Sequence, residues 1–138
     1  MKTTTKQLAF AAPALLAIVL VLSSFKPAQT NSIANGGGIA NGIHFDFNAV
    51  KQKDGSVVGH IQYDGVNYIL DCAVWYNNDA ILFTTDGHAF YVADNGEGGS
   101  VTDYISDPLP GVECGDPLSQ ADFGFPHFVT SGNIQVKK

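Results

Sequence analysis

Arginine is absent, and the seven basic residues, all lysine, face 13 acidic ones for a formal charge of −6. Without arginine, no side chain offers the planar fork that grips a phosphate or carboxylate through two parallel hydrogen bonds. Without a basic excess there is no electrostatic footprint for a phosphate backbone, so nucleic acid is not an expected partner. Charge of either sign is scarce, at 14% of 138 residues against 45% hydrophobic, which suits one compact domain rather than a two-domain enzyme. No apolar run reaches the about 20 residues of a membrane-spanning helix. Also missing are the GxSxG elbow of a serine hydrolase, the HxH and HExxH spacings of zinc sites and the ligand register of an EF-hand.

At the start, Lys2 and Lys6 precede an apolar stretch from Leu8 to Leu22, interrupted by Pro13 and followed by Ser23 and Ser24. That order is a secretory signal peptide, 1–28, cut near Ala28. The mature chain is therefore expected in the periplasm or outside the cell, with no stable membrane insertion after cleavage. No cysteine precedes Cys72, so the thiol of a bacterial lipid anchor is missing. Cleavage removes Lys2, Lys6 and Lys26 but no acid, which makes the exported domain more acidic than the whole chain and repels anionic surfaces. In an exported protein the two cysteines, Cys72 and Cys114, read most simply as a disulfide. Closing so long a loop restricts the unfolded chain by about 4 kcal/mol in the entropic description. A catalytic thiol fits poorly, because Asp71, Glu113 and Asp116 are acidic neighbours that raise a thiol pKa.

Residues 29–41, small and polar with Gly36, Gly37 and Gly38 in a row, read as a flexible leader before a single β domain, 42–138. From Ile43 onward apolar and polar residues alternate with the period of a half-buried strand, placing Ile43, Phe45 and Phe47 inward. Asp54-Gly55, Asp64-Gly65 and Asp86-Gly87 are turn signals between successive strands at about 56–63, 66–76, 80–85 and 88–93. On the longest of these, Tyr68, Leu70, Cys72 and Val74 share one expected face. Another strand around 101–106 leads into a loop from Asp107 to Phe125, and a last strand, 127–136, carries Gly132 as a bulge and returns to pair with the first. The fold class is all-β, an antiparallel meander forming a small barrel or a sandwich.

The most distinctive local pattern is Asp94, Asn95, Gly96, Glu97, Gly98, Gly99 with Asp103 close behind. An oxygen-rich, glycine-flexible loop suits calcium, which makes Asp94, Asn95, Glu97 and Asp103 candidate ligands and calcium the one cofactor to consider; the plainer reading is a hairpin turn with solvated carboxylates. His44 and His60 are expected as neighbours on the polar face of the first hairpin, with Asp46 nearby. Ser56 and Ser106 can be drawn into triads, but no motif surrounds either. Trp75, Tyr76, Tyr91 and Tyr104 are candidates for an aromatic ligand platform, against the more ordinary role of packing within strands.

The segments FDFNAVKQKDGSVVGHIQY, LDCAVWYNNDAILFT, YVADNGEGGSVTDYIS and SGNIQV, taken in order, resemble an uncharacterised family of secreted bacterial proteins that share FxFxA, DGSVxG, DxC, DNGEG and GNIQV. The resemblance covers most of the mature chain and implies export but no activity. The expected function is a non-enzymatic extracellular or envelope-associated module, binding or structural, whose partner is an extracellular protein or a glycan. Two alternatives stand beside it: a secreted hydrolase using carboxylates among Asp94, Glu97 and Asp103, and a calcium-dependent glycan-binding or adhesion module.

Overall fold

Nine strands, each antiparallel to its neighbours, account for the regular structure of the computed structural model, which describes residues 31–96 and 102–138. The signal-peptide segment 1–28, Glu97 and the first part of the expected strand at 101–106 lie outside the described residues. The strands are β1 (Ile33–Ala40), β2 (Ile43–Lys51), β3 (Val57–Tyr63), β4 (Val66–Trp75), β5 (Asp79–Thr84), β6 (His88–Ala93), β7 (Tyr104–Ile105), β8 (Leu109–Pro110) and β9 (His127–Lys137). Each of β1 to β6 pairs with the next, β6 pairs with β7, β7 with β9, and β9 returns to β1, which closes the ring. β8 pairs with the other end of β6, so β7 and β8 form one stave interrupted at 106–108. The result is a closed eight-stranded barrel, an arrangement that leaves no open sheet edge.

The stave that closes the barrel is the segment read as a leader. β1 is an ordered strand, and the domain begins before Gly42. Its inward positions, Ala34, Gly36, Gly38 and Ala40, are all small, so it shows no hydrophobic period. They are small because the neighbouring strand is large: Gly36 faces Phe47 and Gly38 faces Phe45. A Cβ on Gly36 would lie 2.9 Å from the Phe47 ring, and one on Gly38 only 1.9 Å from the Ser131 carbonyl oxygen of β9. The turn between β1 and β2 is Asn41-Gly42, both at positive φ, the backbone a two-residue hairpin demands. The last strand thus pairs with β1 and not with the strand at Ile43. Gly132 sits in register opposite Gly38, and the irregularity falls instead beside it, where Thr130 is skipped.

Phe45, Phe47, Ile61, Tyr63, Tyr68, Leu70, Trp75, Phe90 and Ile134 fill the barrel interior with the small residues of β1. A second apolar cluster lies on the outer surface of β5 and β6, where Ile81, Phe83, Ala89, Tyr91 and Ala93 pack with Tyr104 and Phe123. β5 and β6 are therefore buried on both faces, as their nearly unbroken apolar runs require. The outer cluster is covered by the segment 107–126, which includes β8 and a short 3-10 turn, Gln120–Asp122. Cys72 and Cys114 are disulfide-bonded and pin this cover to β4. Cys72 does not share the inner face with Tyr68 and Leu70, as alternation predicted. The register shifts between Leu70 and Cys72, leaving Asp71 as an extra residue, so Ala73 and Trp75 turn inward and Cys72 joins the outer cluster.

Candidate functional site

Three groups of polar side chains are built into the barrel wall. The first fastens the seam between β7 and β9. β7 is too short to pair with more than the first two residues of β9, which would leave later N–H groups of β9 without acceptors. The Asp103 carbonyl takes the Val129 N–H at 2.9 Å, its Oδ2 takes Ile134 N–H at 2.8 Å, and Asp94 Oδ2 takes Val136 N–H at 3.0 Å. The remaining oxygens of these carboxylates accept from their own loop, Asp103 Oδ1 from Asn95 N–H at 2.8 Å and Asp94 Oδ1 from Gly96 N–H at 3.0 Å. Asn95 donates its side-chain amide to the Thr102 carbonyl at 2.7 Å. Asp94, Asn95 and Asp103 thus come together, but as acceptors and donors for backbone; Glu97 lies outside the described residues. Among the described residues no three or more histidine, cysteine or acidic side chains gather as a metal site.

The second group is a polar chain across one end of the barrel. Asp107 Oδ1 accepts from Tyr63 Oη at 2.6 Å and pairs with His127 Nε2 at 2.8 Å, while His127 Nδ1 meets the Asn41 side-chain amide at 3.2 Å. Both ring nitrogens are committed to neighbours. Burial, and then the hydrogen bond to Asp107, pushes the Tyr63 phenol well above its ordinary range. A third group, Asp86 with Thr84 and His88, closes the β5–β6 turn: the Thr84 hydroxyl and then His88 hold the Asp86 carboxyl below the usual range.

Neither serine considered for hydrolysis meets a histidine. Ser106 Oγ accepts the Tyr91 N–H at 2.8 Å and donates to the Asp107 carbonyl at 2.9 Å, and Ser56 Oγ bonds within its own turn to Asp54 and Gln52. His44 and His60 share the outer face but are not neighbours. His60 stands opposite Asn48, and His44 opposite Ile39 and four residues from Asn48 along β2, about 13 Å at strand rise.

The four aromatics do not form an exposed platform. Trp75 faces the barrel interior at 7% exposure, and its indole N–H has no partner among the described residues. Tyr91 at 5% and Tyr104 at 9% stack in parallel, ring centres 5.8 Å apart, beneath the cover. Tyr91 donates to Asp79 and Gln120 donates to the Tyr104 hydroxyl. Tyr76 alone of the four is well exposed, at 43%. Alternation shows which residues share a face of a strand but carries no information about a loop folding over that face.

Absent from the sequence reading is a hollow of 760 Å³ on the outer wall, where β1, β2 and β3 run side by side. It is lined by Gly38, Ile39, His44, Phe45, Asp46, Gln62, Asp64 and Gly65, of which His44, Asp46, Gln62 and Asp64 are exposed. Asp64 holds positive φ in an Asp-Gly hairpin turn, which sets its carboxylate at the rim. The available signal was the Asn41-Gly42 turn, which makes the glycine run a strand and brings it beside His44 and Asp46. Among the described residues no lysine lines the hollow, which presents two carboxylates, one amide and one imidazole. Among the described residues no helix is long and apolar enough to cross a membrane. Comparison with family models, with curated proteins and with solved structures returned no match.

Proposed function

We propose that the chain is an exported, non-enzymatic β-barrel module of the periplasm or cell exterior that binds an extracellular partner through the hollow beside β1. The observation that carries this reading is the commitment of Asp94 and Asp103 to the N–H groups of β9, which gives two of the three carboxylates named for a hydrolase a structural task. The hollow supplies the binding chemistry. Carboxylates, an amide and an imidazole, with no lysine among the described residues that line it, favour a neutral, hydroxyl-rich ligand over an anion, which singles out a glycan among extracellular partners. Kinship with the secreted bacterial family is part of the proposal and rests on the ordered segments of the sequence.

A glycan and matrix array probed with the purified exported chain is the test. Saturable binding that falls about tenfold or more in Asp46→Ala and Gln62→Ala is expected, a loss of about 1.4 kcal/mol or more. Turnover in a glycosidase and esterase screen, abolished by Asp94→Asn or Asp103→Asn, would replace this reading with the hydrolase. Melting curves in calcium and in chelator are expected to coincide. A ligand at a hundred times its dissociation constant stabilises by about 2.7 kcal/mol, so a clear upward shift in calcium would restore the metal-dependent alternative.

A further inference from the structure

We propose that segment 107–126 is a releasable cover whose catch is the Cys72–Cys114 disulfide, and that reduction uncovers the stacked Tyr91–Tyr104 face while the barrel stays closed. The two apolar clusters have no residue in common, and the one inside the barrel draws nothing from 107–126. The ends of the segment are fastened to each other and to the wall, because Asp107 holds both Tyr63 and His127. Between these ends the chain makes an excursion of the Ω-loop kind, whose release takes β8 away from β6 but leaves the β6–β7–β9 closure in place.

The excursion has few ties of its own. β8 pairs with His88 and Ala89, Val112 N–H reaches the Gly87 carbonyl at 3.1 Å, and Gln120 reaches the Tyr104 hydroxyl. Other polar contacts within it are local, as in Glu113 N–H to Asp116 and Ser119 N–H to Asp122. Phe123 supplies its one fully buried large side chain, and Leu109, Val112 and Leu118 pack half-buried against the same cluster. Cys114 is exposed at the edge of a 380 Å³ hollow lined also by Asp71 and Glu113, so a small reductant can reach the bridge from solvent. The two acids repel anionic thiols and leave a neutral dithiol as the suitable reductant. One of its thiolates attacks a bridge sulfur to give a mixed disulfide, and its second thiol resolves that bond. Two electrons and two protons pass to Cys72 and Cys114, and the reductant leaves as its own cyclic disulfide.

Uncovering does not depend on the ligand proposed for the hollow, and its test reads the protein alone. Hydrogen exchange of the full mature chain is followed by mass spectrometry with the disulfide intact, after reduction by dithiothreitol, and in a Cys72→Ser, Cys114→Ser double variant. Peptides from 107–126 are expected to exchange about tenfold faster or more on reduction, while those from β1 to β3 keep their protection. Reduction of the wild-type chain gives the answer even where the double variant fails to fold. Unchanged exchange in 107–126, or a loss spread equally over the barrel, would overturn the proposal. Phe123→Ala separates the catch from the apolar contacts: with the bridge intact the cover is expected to stay protected, and its release there would show that packing, not the disulfide, holds it.

Discussion

Asp103 shows how a residue type is misread when its partners are hidden. In sequence it belongs to an acidic, glycine-rich stretch whose chemistry suits calcium; in the structure it is buried and each carboxylate oxygen accepts a backbone N–H. Backbone acceptance leaves no trace in residue identity, so a ligand and a clasp have the same letters. Asp103→Ala leaves the N–H groups of Ile134 and Asn95 without acceptors, and a loss of about 1–3 kcal/mol is expected in urea unfolding. Asp103→Asn keeps one acceptor oxygen and should cost less. A destabilisation by Ala no greater than that of an exposed aspartate, such as Asp46, would contradict the clasp.

At the scale of elements, the expected limits of β3, β5 and β6 and the expected start of β2 agree closely with the structure, because each shows a period of two or an unbroken apolar run between turn residues. β1 was illegible because its inward side chains are alanine and glycine. The information about its burial resides in Phe45 and Phe47, which occupy the space its side chains vacate. β4 was half legible: one extra residue at Asp71 inverts the faces beyond it, and a bulge has no signature in apolar spacing. The hollow takes its position from β1, which brings Ile39 beside His44. Gly38→Ala would place a methyl group 1.9 Å from a carbonyl oxygen at φ +145°. A loss of at least about 2 kcal/mol is expected, read as a lowered melting temperature, whereas Gly42→Ala, with open space around its Cβ position, should show only the cost of its backbone conformation.

For the whole molecule, aromatic burial on both surfaces of the wall makes stability depend on pH. Tyr63, Tyr68, Tyr91 and Tyr104 all have phenols raised above the ordinary value, each chiefly by burial. Between the unfolded phenol value, about 10, and the raised folded values, the folded chain retains protons that the unfolded chain has lost. Stability is therefore intact below that range and falls as pH rises through it. Melting temperatures followed from pH 8 to 11 should decline steeply above about pH 10, with phenolate absorbance rising at the same transition. A flat profile, or phenolate forming in the folded chain at the ordinary pH, would contradict burial of these rings.

Closure by β1 unites the fold, the hollow and the outer cover, and one comparison tests it most directly. Two chains are prepared, residues 31–138 and residues 42–138, and their amide NMR spectra are recorded under the same conditions. A closed barrel requires the Ile33–Ala40 stave between β2 and β9, so the longer chain is expected to give a dispersed spectrum and a cooperative melt, and the shorter a collapsed one. A dispersed spectrum and an unchanged melting temperature for 42–138 would show that the glycine-rich segment is dispensable, and the barrel with its hollow would have to be abandoned.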